Sequence, residues 1–91
     1  MIQKRLTSKK RVTEVNLSNV PNQSGVYVLH RKSGSVYVES AAAGRLQERV
    51  REQVDTKRGV TSFQYRPTTN TKEAEYLEGK YRDKLNPGQT I

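Results

Sequence analysis

The chain has 91 residues, 32% of them apolar, with no Trp, one Phe and five Tyr, a length that fits one small domain with a compact core and a modest margin of stability. It has no Cys, which rules out disulfides, zinc-thiolate sites and cysteine nucleophiles and fits a reducing, cytoplasmic compartment, and no apolar run approaches the roughly 18 residues of a membrane span. Lys plus Arg number 17 against 9 Asp plus Glu, so the net charge is +8, and an excess of that size favours a polyanionic partner over a basic surface without a dedicated ligand or a membrane surface.

Residues 1–20 read as a basic lead-in. Lys4, Arg5, Lys9, Lys10 and Arg11 supply charge, and Val12, Val15, Leu17 and Val20 suggest a short extended stretch. With no apolar stretch behind these cations, a secretory signal is not expected. Pro21-Asn22-Gln23-Ser24-Gly25 is turn-rich and closes the segment, leaving residues 21–91 as the domain proper.

Gly25–His30 and Ser35–Glu39 alternate as two strands around a Lys32-Ser33-Gly34 turn. A period of two puts Val26 and Val28 on one face, with Tyr27 and Leu29 on the other. In the second strand Val36 and Val38 oppose Tyr37 and Glu39, so a tight hairpin sets Tyr27 and Tyr37 close together on one face. A helix over Gly44–Thr56 follows, with Leu46, Val50 and Val54 as its buried stripe and Lys57-Arg58-Gly59 as its stop. Ser62–Arg66 reads as a third strand with Phe63 and Tyr65 on one face, ended by Pro67. Asn70, with Glu73 three residues on, caps a helix over Thr71–Leu85 whose stripe is Ala74, Leu77, Tyr81 and Leu85, with Pro87-Gly88 as its end. The expected fold is α/β (α+β), a small three-stranded antiparallel or mixed sheet flanked by helices.

Taken in order, Gly25-Val26-Tyr27, Val36-Tyr37-Val38, Leu46-x-x-Arg49 and Glu73-Ala74-Glu75-Tyr76-Leu77-Glu78 with Pro87 nine residues after Glu78 resemble the GIY-YIG nuclease domain over about residues 21–88. The resemblance implies a small endonuclease that hydrolyses phosphodiester bonds in DNA, or in RNA, with one Mg²⁺ or Mn²⁺ ion. By that likeness Glu78 would hold the metal, and Tyr37, with Tyr27, would position or deprotonate the attacking water. A phenol with an unperturbed pKa of about 10 is a weak base, so this role needs a cation beside it. Arg49 is the candidate, stabilising developing charge and favouring phenolate.

Arg45, Arg49, Arg51, Lys57 and Arg58 form the expected phosphate-contacting stripe, and a protein partner could supply targeting. The chain departs from the family at four places. Glu39 replaces the glycine of the second motif, the loop before Arg49 is longer and leaves Arg45 a rival for that role, Gln53 stands where relatives often carry histidine, and Gln89 and Thr90 replace a late asparagine. Taken singly, the same residues have plainer readings: Tyr27 and Tyr37 as cross-strand packing, Arg49 as an exposed arginine, and Glu78 as a helix carboxylate paired with Arg82. Three functions follow: an endonuclease, a degenerate relative that binds nucleic acid or a nucleoprotein without cutting, and a protein-interaction module.

Overall fold

The computed structural model describes residues 5–85. Seven elements succeed one another: β1 (Lys10–Arg11), α1 (Glu14–Ser18), β2 (Ser24–Arg31), β3 (Val36–Ala41), α2 (Leu46–Thr56), β4 (Val60–Thr68) and α3 (Thr71–Leu85). The strands form one sheet in the order β1-β4-β2-β3, with every pairing antiparallel. The sheet has four strands where the sequence suggested three. The addition is β1, two residues long and paired Lys10 to Phe63 and Arg11 to Ser62, too short to carry an alternating pattern.

A second correction falls on the lead-in. Val15 and Leu17 lie in the one-turn helix α1, not in an extended stretch. Thr13 caps it, its hydroxyl accepting from the Asn16 N–H at 3.1 Å, and this local bond offers the backbone an alternative to a strand. Leu17 and Val20 are buried against Tyr27, Leu29, Leu46 and Phe63, so this segment belongs to the same packed body.

The two faces of the sheet carry separate apolar clusters, as the period of two dictates. One holds Tyr27, Leu29, Ala41 and Phe63 beneath Leu17 of α1 and Leu46 and Val50 of α2, with Tyr37, Val54 and Tyr65 at its margin. The other packs Val26, Val28 and Val38 against Leu77 of α3, with Leu6, Val36 and Tyr81 beside it. Phe63 and Tyr65 stack with ring centroids 6.3 Å apart.

Gly25 is set by packing. A Cβ there would stand 2.8 Å from the Arg66 carbonyl oxygen and 2.8 Å from Leu46 Cδ2, so a bare backbone lets α2 seat on the sheet. The two short turns instead use glycine for its left-handed backbone, at Gly34 (φ 99°) and Gly59 (φ 79°).

Helix α3 begins as its sequence suggests. Asn70 Oδ1 accepts from the Glu73 N–H at 2.8 Å, and Glu73 reaches back to accept from the Thr69 N–H at 2.8 Å. Ala74 and Leu77 are buried, whereas Leu85, the last residue of the expected stripe, is exposed. The Pro87-Gly88 stop, and Gln89 and Thr90, lie outside the described residues. No helix among the described residues is long and apolar enough to cross a membrane.

Candidate functional site

The β2–β3 register decides where the tyrosines meet. Tyr27 lies opposite Glu39, and Tyr37 lies opposite Leu29. The two phenols therefore share a face, as expected, but stand diagonally, and the direct cross-strand partner of Tyr27 is the carboxylate. The Tyr27 hydroxyl donates to Glu39 Oε1 at 2.8 Å. The Tyr27 side chain is fully buried. Burial first, and the Glu39 carboxylate second, push its phenol well above the ordinary tyrosine value, while Arg49 pulls more weakly the other way. A phenol so placed is a hydrogen-bond donor at neutral pH and not a base.

Arg49 sits on α2 above this pair. It is held by Glu52, with its Nη1 donating at 3.0 Å, and the neighbouring Tyr27 and Glu39 groups favour its charged form. Lys57, just past the end of α2, reaches Glu39 at 4.0 Å and lies 4.4 Å from the centre of the Tyr37 ring. The Arg31 guanidinium lies 5.1 Å from the same centre. Tyr37 thus has two cations near its ring, an arrangement worth about 0.5–2 kcal/mol per pair depending on exposure. Tyr27, Tyr37, Arg49 and Lys57 converge on one face, and Glu39 lies among them.

Glu78 lies elsewhere. It projects from α3 toward the opposite face of the sheet, where it accepts from the Ser40 hydroxyl and from Arg82 Nη2. Ser40 and Glu39 are consecutive residues of β3, so their side chains leave the strand in opposite directions. Arg82 also donates to the Val38 carbonyl at 2.7 Å, which clamps α3 to the strand.

The fit of a divalent ion at Glu78 is poor in this arrangement. Both carboxylate oxygens are engaged, and one faces a guanidinium that would repel a cation. Among the described residues no group of three or more His, Asp or Glu side chains is placed to hold a metal ion. Mg²⁺ tolerates a single carboxylate when waters complete its shell, but it gains nothing from a carboxylate already neutralised by arginine.

The expected phosphate stripe divides. Arg45 pairs with Glu48 at 2.6 Å and approaches Glu52 at 3.7 Å. Arg51 grips Glu14 with two bonds of 2.9 Å and also donates to Ser18 at 3.1 Å, tying α2 to α1. That grip draws the Glu14 carboxyl below its usual range. Lys57 stays with Glu39 and Tyr37, whereas Arg58 turns to the hairpin end of the sheet, where it and Gly59 face Arg31, Lys32 and Ser33. Sequence reasoning missed Arg31 and Lys32 as companions of Arg58. The available signal was that three antiparallel strands bring the turn after β2 and the turn before β4 to the same end.

His30 has a structural partner. Its Nε2 lies 2.7 Å from Gln64 Oε1 on the neighbouring strand, and Gln64 in turn donates to the Thr7 carbonyl at 2.9 Å. Compared with known proteins, the chain matches no family model, no curated protein and no solved structure.

Proposed function

We propose that this chain is a GIY-YIG-like domain that binds the phosphate backbone of nucleic acid, DNA in the first instance, without cutting it. One observation carries the reading: the Glu39 carboxylate lies among Tyr27, Arg49, Lys57 and Tyr37 and accepts the Tyr27 hydroxyl. An anionic side chain there occupies the place where a substrate oxygen would meet the same donors, and it repels phosphate. The net charge of +8 supports a polyanionic partner while leaving the central cluster nearly neutralised. The reading is tested by anisotropy of a labelled duplex in chelator over a salt series. Binding that weakens steeply with salt and is indifferent to Mg²⁺ supports it; no binding at low salt overturns it.

The second reading is the endonuclease with Mg²⁺ or Mn²⁺. Its support is the convergence of Tyr27, Tyr37 and Arg49 on one face, together with a motif order that resembles that of GIY-YIG nucleases. It would need Glu78 to part from Arg82 and Glu39 to leave the cluster. Plasmid nicking by the parent, by Glu39→Gly and by Glu78→Ala separates the two. Metal-dependent nicking by the parent that Glu78→Ala abolishes would establish cleavage, and nicking only after Glu39→Gly would identify Glu39 as the restraint.

A further inference from the structure

Two basic turns meet at one end of the sheet. The β2–β3 turn contributes Arg31, Lys32 and Ser33, and the α2–β4 turn contributes Arg58 and Gly59. A backbone bond from the Lys32 N–H to the Gly59 carbonyl, 2.9 Å, joins them. The five residues line an open cleft of about 470 Å³.

The charge in this cleft differs from that along α2. Arg45, Arg49 and Arg51 are each paired with glutamate, at 2.6, 3.0 and 2.9 Å. Among the described residues no ion pair within 4 Å joins Arg31, Lys32 or Arg58 to a carboxylate. Arg31 is held by its neighbour Tyr37 and not by an anion, and its Nε is buried without a hydrogen-bond partner. Three cations facing one concavity, one of them held in place by an aromatic ring, repel each other and gain from a shared anion. Arginine forks match phosphate oxygens in pairs, and lysine adds a point charge.

We infer that this cleft is a phosphate seat for the nucleic-acid backbone, adjoining the Tyr27–Glu39–Arg49 cluster through Tyr37 but formed by different cations. The inference rests on the nucleic-acid-binding reading above and gives it an anchor. The unpaired cations of Arg31, Lys32 and Arg58 take a phosphodiester group, and the strand that carries it lies at the turn end of the hairpin. The self-neutralised α2 face then contributes little. Free phosphate offers the same chemistry in smaller form and serves as a second arm of the test.

The experiment follows the full chain, uniformly ¹⁵N-labelled, by NMR while inorganic phosphate and then a short oligonucleotide are added. The amides of Ser33 and Gly59 report on the cleft directly. In parallel, oligonucleotide affinity is compared for Lys32→Glu/Arg58→Glu and for Lys72→Glu/Lys80→Glu, which changes net charge equally on exposed positions of α3. The cleft variant should lose roughly tenfold or more in affinity and flatten the slope of log K against log salt by about 2, whereas the α3 variant loses less. Equal losses in the two variants, or cleft amides that do not shift with oligonucleotide, would overturn the seat while leaving nucleic-acid binding intact. If the parent binds no oligonucleotide at all, the broader reading fails. If the cleft responds to phosphate alone, its assignment to nucleic acid fails. Lys32 and Arg58 are exposed, so folding should survive both charge reversals, and far-ultraviolet circular dichroism checks this.

Discussion

The two faces of the sheet are built on different principles. The α2 face mixes a deep apolar cluster with a buried phenol, a carboxylate and two cations, while the α3 face is an aliphatic layer fastened at its rim by Ser40, Glu78 and Arg82. On the first face the fully buried Tyr27 phenol depends on Glu39 for its partner, so each constrains the other. On the second no such group lies in the apolar layer beneath Ser40, Glu78 and Arg82, whose contacts run from helix to edge strand. The contrast explains why the residues of one motif series end in such unlike surroundings.

The sharpest way to break the contrast is to remove its apolar parts. Leu46→Ala, fully buried on the α2 face, should cost about 2–5 kcal/mol, and Leu77→Ala on the α3 face should fall at or below the low end of that range because its site is shallower. Urea unfolding measures both, and a larger loss for Leu77→Ala would invert the comparison. Next in size comes Gly25→Ala. Its new methyl would meet a backbone oxygen that cannot swing aside, so a loss of about 1–3 kcal/mol is expected. A neutral result would mean that α2 can lift off the strand freely.

The polar contrast is tested by Glu39→Ala, which strands the buried Tyr27 hydroxyl and should cost about 1–3 kcal/mol. The Tyr27→Phe change should cost less, because Glu39 is partly exposed and can be solvated. The phenol also makes a pH prediction. Its folded pKa lies above the unfolded value of about 10, so its contribution to stability is complete below that pH and is lost as pH rises beyond it. In an alkaline titration followed by ultraviolet absorbance, Tyr27 should ionise only with unfolding. Its ionisation before the fold is lost would show that the enclosure is not real. Smallest of all should be Glu78→Gln. The pair with Arg82 has a substantially exposed partner, and the expected change is below about 1 kcal/mol.

Much of this architecture could be read from the chain before folding. Alternation assigned Val26, Val28, Val36 and Val38 to one face and Tyr27, Leu29, Tyr37 and Glu39 to the other, because a strand's period of two leaves no third choice. Asn70 and Glu73 announced the start of α3 through a local cap, and Leu46 and Val50 announced the buried side of α2. What escaped was nonlocal or very short. Register depends on where the hairpin turns, and a centre at Ser33 pairs Tyr27 with Glu39 and leaves Tyr37 diagonal to it, opposite Leu29. The face reached by Glu78 depends on which side of the sheet α3 covers, which helical periodicity alone does not specify. Helix α1 is a single turn, too brief for its pattern to outweigh the extended alternative, although Thr13 was a usable sign.

Arg82 has one more consequence. Among the described residues β3 is the outer strand of the sheet, and the bond from the Arg31 N–H to the Ser35 carbonyl sets the alternation that turns the Val38 carbonyl outward. A bare row of such carbonyls and amides invites a strand from another molecule and, with it, stacking into fibrils. Arg82 covers the Val38 acceptor, and its charge meets any incoming backbone. Solubility at high concentration should therefore depend on this arginine more than on the many cations that lie away from the edge, and Arg82→Ala should aggregate sooner than a lysine deletion of equal charge elsewhere.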